Sequence, residues 1–267
     1  MTDQEYLFLK KKLLTMTGID LESYKSQQMR RRLTAFIENG DEKDVIQYCR
    51  LIERDQASLK KLCDFITINV TEFCRDSAVF NELEKNILPA ILQKKDYINV
   101  WSAGCSNGAE VYSIAILLCE SPKRANYRIL GTDMDELSLA RAAAGGPYRD
   151  DLLKNVPKHL LAKYFTQDNG DYWVKKEIKD RAVFRRHNLL ADKFETGFDL
   201  IACRNVTIYF TEEAKEKLNQ RFYESLKEDG VLFVGATEFM INAIKLGFGK
   251  MGSCFYQKKN SASLARV

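Results

Sequence analysis

The run Ser102-Ala103-Gly104-Cys105-Ser106-Asn107-Gly108 follows the apolar stretch Ile98–Trp101 and precedes a second apolar run from Val111. Glycines at a strand-to-helix turn let the backbone approach a ligand closely. In open α/β sheets, ligands bind beyond the carboxyl ends of the strands. The spacing is GxxxG and not the GxGxxG of dinucleotide binders, and taken alone it fits a tight connection equally well. A second element sharpens it. Asp133, in Thr132-Asp133-Met134-Asp135, lies about 25 residues beyond Gly108, where Rossmann-like domains place a carboxylate on ribose hydroxyls. A ribose acid without a phosphate fingerprint points to a nucleoside cofactor lacking pyrophosphate, and S-adenosylmethionine is such a ligand. Asp135 reads as the N-cap of the next helix. The Glu110 carboxylate suits either the helix N-terminus or the cationic end of the cofactor, and spacing leaves both open.

Holding these residues in place requires a sheet, and the chain beyond residue 88 alternates strand and helix accordingly. Strands are expected at Tyr97–Trp101, Tyr127–Gly131, Tyr172–Val174, Ala182–Phe184, Phe198–Ala202, Val231–Val234 and Cys254–Gln257. Helices are expected at Val111–Cys119, Asp135–Ala143 and Thr211 to about Lys227. This alternation predicts an α/β fold, a Rossmann-like doubly wound, mostly parallel sheet. A last strand close behind another predicts an antiparallel hairpin at one edge. Residues 1–88 read as an all-α domain, with apolar stripes at Tyr6/Leu9/Leu13/Met16 and Met29/Leu33/Phe36/Ile37. Residues 89–260 form the predicted cofactor domain, and 261–267 a flexible tail.

Composition narrows the class. Of 267 residues 45% are hydrophobic, and 41 Lys plus Arg against 37 Asp plus Glu leave +4, too balanced to mark a nucleic-acid binder. Apolar runs such as Ile114–Cys119 are too short to span a bilayer, and no signal peptide opens the chain, so a cytoplasmic location is expected. Seven cysteines without a CxxC pair argue against a disulfide framework. Two histidines and no Cys/His cluster argue against a metal site.

Further segments identify a family: Asn69-Val70-Thr71-Glu72-Phe73-Cys74-Arg75-Asp76, Trp101–Tyr112, His187-Asn188-Leu189-Leu190, Phe198–Phe210 with Arg204-Asn205 inside it, and Gly235-Ala236-Thr237-Glu238. Five motifs in this order resemble the chemotaxis receptor methyltransferases, the CheR family, over nearly the whole chain. The resemblance implies a class I methyltransferase fold with a small β insertion at about 163–186. It also implies transfer of a methyl group from S-adenosylmethionine, leaving S-adenosylhomocysteine, to glutamate side chains of methyl-accepting chemotaxis receptors. In some members the insertion adds a receptor C-terminal peptide to its edge as a strand.

Carried over by position, Asn69, Thr71 and Arg75 belong to the cofactor and active-site wall. Glu110 and Asp133 hold the cofactor beside Gly104, Asn188 and Leu189 flank the adenine, and Arg204 and Asn205 lie near the methionine part. Arg75 and Tyr209 are the catalytic candidates, Arg75 steering the substrate carboxylate and Tyr209 facing the methyl group. Ala109 replaces the first acid of the family pattern, so the contact falls to Glu110. Cys74 replaces a common aromatic.

A glutamate with a pKa near ~4.3 is already ionised at neutral pH and needs no general base. Arg30, Arg31 and Arg32, with Lys25, form a basic cluster that reads as a solvated helix face on its own. The resemblance makes it a docking surface for glutamate-rich receptor helices. Recruitment to membrane-bound receptor clusters, no direct membrane insertion, no nucleic-acid partner and a monomeric chain complete the expectation. Two rivals remain: a nucleic-acid methyltransferase, and a cofactor-binding regulator with weak catalysis suggested by Ala109 and Cys74.

Overall fold

The computed structural model describes residues 1–67, 70–123 and 125–259; Asn69 and the tail 261–267 lie outside them. The chain divides into two compact units, Met1–Ile68 with Tyr209–Lys217, and Asn69–Ile208 with Leu218–Val267. Among the described residues, no helix is long and apolar enough to cross a membrane.

The first unit is helical. It contains α1 (Asp3–Thr17), α2 (Ser26–Glu38), α3 (Val45–Arg54) and α4 (Gln56–Ile66). Local chemistry sets the boundaries. Thr2 and Glu5 form a capping box, Asp44 accepts from the Gln47 N–H, and Asp55 accepts from Ala57 and Ser58. Gly18, at φ 75°, closes α1 in the left-handed conformation. The buried stripes are Tyr6, Leu9 and Leu13 on α1 and Met29, Leu33 and Ile37 on α2. Phe36 instead stacks on Phe65, with ring centroids 4.4 Å apart.

In the second unit, α5 (Ser77–Glu82), a π-helical turn (Leu83–Ile87) and α6 (Leu88–Gln93) precede β1 (Tyr97–Ala103). The break after residue 68, well before 88, is a correction to the sequence reading, because these helical turns belong to the sheet unit. Helical periodicity says what an element is and not which core receives its apolar face. Then come α7 (Ala109–Glu120), β2 (Asn126–Asp133), α8 (Glu136–Ala144), α9 (Asp150–Leu153) and α10 (Lys158–Tyr164). The chain continues with β3 (Phe165–Asp168), β4 (Asp171–Val174), α11 (Lys176–Lys179), β5 (Ala182–Arg186) and β6 (Phe198–Cys203). It ends with α12 (Glu212–Ser225), β7 (Leu226–Val234), β8 (Phe248–Lys250) and β9 (Phe255–Lys258).

Seven strands order as β5-β2-β1-β6-β7-β9-β8. The first five are parallel, and β9 runs antiparallel between β7 and β8. This is the mostly parallel, Rossmann-like sheet expected. Strands covered on both faces read as apolar runs, and every residue of β6 is buried. The one carboxylate among them, Asp199, is neutralised by Lys95 and by Lys227 at 2.9 Å, and accepts the Asn99 N–H at 2.8 Å. Only Phe165–Val174 of the 163–186 stretch makes the antiparallel hairpin; Ala182–Arg186 pairs with β2 as the parallel edge strand. Short alternating strands do not announce which sheet they join.

Candidate active site

The glycine loop leaves the carboxyl end of β1. Gly104 and Cys105 donate to the Thr132 carbonyl at 2.8 and 2.9 Å, tying the loop to β2. Gly104 (φ 82°) admits no side chain: a Cβ there would sit 2.5 Å from Val206 Cγ2. Gly108 (φ 85°) would meet Ala142 at 2.8 Å. Asp133 grips the loop directly, Oδ2 accepting the Ser106 N–H at 2.7 Å and Oδ1 the Asp135 N–H at 3.0 Å. A carboxylate has about four acceptor sites, so Asp133 can still take hydroxyl donors. Burial pushes its pKa up against the opposing pull of these N–H groups. Asp135 caps α8.

Glu110 stands in the first turn of α7, half-buried. It accepts the Ser102 hydroxyl at 2.8 Å and faces Arg204 Nη1 at 3.4 Å. Burial raises its pKa, and the Arg204 charge pulls it back. Its partner is thus a fixed arginine, a role that spacing did not offer. The Arg204 side chain is 2% exposed, with its guanidinium 4.6 Å from the Phe233 ring and 5.2 Å from the Phe80 ring. Nη2 donates to the Arg75 carbonyl at 2.9 Å and to Asp76 Oδ2 at 2.8 Å. Arg204 therefore locks the segment that carries Arg75. The Arg75 guanidinium donates to the Val70 carbonyl at 2.8 Å, and Thr71 between them is half-buried.

The turn after β6 is held from a distance. Buried Glu238 accepts Gly235 N–H at 2.9 Å, Asn205 N–H at 2.6 Å, Thr207 N–H at 2.7 Å, Thr207 hydroxyl at 2.8 Å and Ile208 N–H at 3.2 Å. One carboxylate thus fixes Asn205 in its left-handed conformation, φ 59°. Cys74, Asp76, Ser106 and Asn205 all adopt positive φ around this site, a costly backbone state for non-glycine residues.

Asn188 and Leu189 follow β5. Leu190 N–H donates to Asn188 Oδ1 at 3.0 Å, and Asn188 N–H donates to Asp192 Oδ2 at 2.8 Å. Arg221 on α12 clamps this loop through the Leu189 carbonyl at 2.6 Å and the Asp192 carbonyl, while its guanidinium lies 3.8 Å over the Phe194 ring. Sequence reading missed Arg221 entirely, because nothing in Gln220-Arg221-Phe222 marks a long-range clamp. It saw Glu238 inside a motif without a role for it.

Tyr209 and the basic cluster belong to the helical unit. There the Tyr209 carbonyl accepts the Lys25 N–H at 2.9 Å, and its ring lies 6.0 Å from the Arg32 guanidinium. Arg32 also donates to the Phe65 carbonyl at 2.6 Å, and Arg30 pairs with Asp3 at 2.5 Å. Arg31 is exposed. The cluster is thus not uniformly solvated: Arg30 and Arg32 are partly committed within the unit.

Among the described residues, four buried polar atoms of the sheet unit have no protein partner: His187 Nδ1, Arg204 Nε and, at the two turns of the site, Ser106 Oγ and Asn205 Oδ1. Such atoms cost free energy unless a ligand or water meets them. With the residual acceptor capacity of Asp133 and the side-chain-free Gly104, the two at the turns fit a polar nucleoside–amino-acid ligand. Fold and site together define a class I, S-adenosylmethionine-binding methyltransferase.

The model of the CheR methyltransferase SAM binding domain matches residues 69–254, and that of the CheR methyltransferase all-alpha domain matches residues 4–67. A chemotaxis protein methyltransferase of Listeria monocytogenes is 35% identical, covering 96% of this chain and 98% of its own. That of Borreliella burgdorferi is 36% identical, covering 83% of each. Among solved structures, a TehB-like SAM-dependent methyltransferase from Corynebacterium glutamicum aligns with TM-score 0.38 at 18% identity, over 65% of this chain and 84% of that one. The chain belongs to the CheR methyltransferase family, and S-adenosylmethionine is its cofactor.

Proposed function

We propose that this protein esterifies glutamate side chains of methyl-accepting chemotaxis receptors. The bound cofactor supplies an electrophilic methyl group on a sulfonium. The observation that carries the reading is the Arg204 lock on Arg75. Among the described residues Arg75 donates one hydrogen bond, to Val70, which leaves guanidinium donors for an incoming carboxylate. Its backbone is fixed by Arg204, so an anionic substrate meets a pre-oriented cation. The acids nearby are engaged, Glu110 by Arg204 and Ser102 and Asp133 by backbone N–H groups. That arrangement suits a nucleophile that arrives already ionised. Alignment of such a pair can supply roughly 7–11 kcal/mol of a barrier.

In this reading Thr71, Gly104, Glu110, Asp133, Asn188, Leu189, Arg204 and Asn205 surround the cofactor with Asn69. Arg75 steers the carboxylate, and Tyr209 orients the methyl group or substrate. Arg30, Arg31 and Arg32 draw in acidic receptor helices, Arg31 most of all because it is exposed. The protein acts as a monomer at membrane-bound receptor clusters.

The test uses labelled cofactor and receptor-bearing membranes. Base-labile label on receptor glutamates is the expected result, and label on RNA with none on receptor would refute the proposal. Arg75→Ala should abolish transfer while keeping cofactor affinity. A parallel loss of both in calorimetry would remove its steering role.

A further inference from the structure

Among the described residues, the most exposed large apolar side chains are Ile241, Ile244, Val70 and Phe239, at 85%, 80%, 72% and 68%. All four lie on segments that build the site. β7 runs parallel to β6, and β6 to β1. The chain after Val234 therefore leaves the sheet at the same carboxyl edge as the glycine loop and the Arg204–Asn205 turn. Glu238, one residue before Phe239, is hydrogen-bonded to that turn. The Val70 carbonyl holds Arg75, whose own carbonyl holds Arg204.

The display is fixed from beneath. Met240 and Ala243 are buried, and the Met240 N–H donates to the Tyr256 hydroxyl at 3.2 Å. Leu246 and Phe248 N–H groups close back onto the Asn242 and Ala243 carbonyls at 3.1 and 2.9 Å. Phe239, Ile241 and Ile244 thus point outward because their neighbours are anchored inward. Lys245 beside them is exposed as well. Exposed apolar side chains close together in the chain, as Phe239, Ile241 and Ile244 are, mark candidate interaction surfaces, and the segments that carry them and Val70 are hydrogen-bonded into the site.

We propose that Val70, Phe239, Ile241 and Ile244 form an apolar rim seating the hydrophobic stripe of an amphipathic substrate helix, with Lys245 meeting its acidic flank. The proposal rests on the receptor-glutamate reading. A bundle helix carries glutamates next to its apolar stripe, at positions three or four residues apart. Seating the stripe on the rim turns one of those glutamates toward Arg75. The rim therefore selects helical substrates, where the cofactor pocket alone accepts any carboxylate.

The test compares the full chain with the triple variant Phe239→Ser, Ile241→Ser, Ile244→Ser, and with Ile241→Ser alone as a guard against misfolding. The substrate is a soluble cytoplasmic helical fragment of a methyl-accepting receptor, titrated at saturating S-adenosylmethionine. The triple variant should raise KM for the fragment roughly tenfold or more. Its kcat and cofactor Kd should stay within about twofold, since these contacts are shared by ground and transition states. Ile241→Ser should move KM in the same direction by less.

Unchanged KM in both variants overturns the rim. So does a KM rise that only tracks a fall in melting temperature or cofactor affinity, which would mark a packing defect. Loss of self-association at unchanged KM would give the patch to a second copy of this chain and also overturn it. If the unaltered protein fails to methylate the fragment, the receptor reading falls and takes the rim with it. An active parent with indifferent variants confines the failure to the rim.

Discussion

Two turns at the carboxyl edge of the sheet are built in opposite ways. The glycine loop after β1 is held mainly by its own neighbourhood: positive φ at Gly104 and Gly108, Asn107 Oδ1 accepting the Ala109 N–H at 3.1 Å, and contacts to the end of the adjacent strand β2. The turn after β6 has no glycine. It is held by Glu238, from the segment after β7. One turn is encoded where it lies and the other is imported. They meet where Gly104 leaves space for Val206 and where Glu110 faces Arg204. A site divided in this way depends locally on glycine and remotely on a single buried carboxylate.

The largest effect should follow from removing the imported support. Glu238→Ala strands the N–H groups of Gly235, Asn205, Thr207 and Ile208. At about 1–3 kcal/mol for each buried donor left unpaired, chemical denaturation should show a loss of about 3 kcal/mol or more, with transfer activity nearly abolished. A stable, active Glu238→Ala protein would mean that the turn holds itself, and the contrast would collapse.

Gly104→Ala comes next. A left-handed alanine costs roughly 1–2 kcal/mol, and the methyl group also collides with Val206. Adding Val206→Ala should restore the part due to collision and not the backbone part. A double-mutant cycle should then give coupling of about 0.5–3 kcal/mol. Additive effects would separate the two turns.

Arg221→Met should spare melting temperature and weaken cofactor binding roughly tenfold, the equivalent of one hydrogen bond to a charged group. Faster amide exchange confined to residues 189–194 would accompany it. Unaltered affinity with faster exchange would show that this loop does not touch the cofactor.

The smallest effect is on pH dependence. Burial raises the pKa of both Glu110 and Asp133. Each keeps its proton to higher pH when folded, so each opposes folding increasingly as pH climbs from the ordinary carboxylate range through the raised value. A cationic ligand favours the ionised forms. S-adenosylmethionine affinity should therefore rise with pH across that window and then level off, with protons released on binding. Calorimetry in buffers of different ionisation enthalpy reads this directly. A flat profile would uncouple the two acids from the cofactor's charge.

The two turns also explain what was readable in advance. The glycine loop and Asp133 stood out because their chemistry is local: residue type, spacing and strand ends lie within one stretch of chain. The sheet was foreseen for the same reason, since apolar strands alternate with helical runs. Within the insertion expected at about 163–186, Phe165–Val174 makes the hairpin and Ala182–Arg186 pairs with β2, a choice of sheet that the residues of a short strand do not announce. Residues 69–88 looked as helical as those before them, yet they belong to the sheet unit.

Sequence alone therefore determined the class of fold, the glycine loop with its nearby acid, and, through ordered motifs, the family. Those properties are fixed by backbone preference and hydrophobic period, which act over a few residues. Tertiary structure alone decided that Glu110 answers to Arg204, that Arg204 holds Arg75, that Glu238 holds Asn205, and that Arg221 holds Leu189. Each is a hydrogen bond or ion pair between elements far apart in the chain. Only the folded sheet, by bringing its strand ends to one edge, puts those partners within reach.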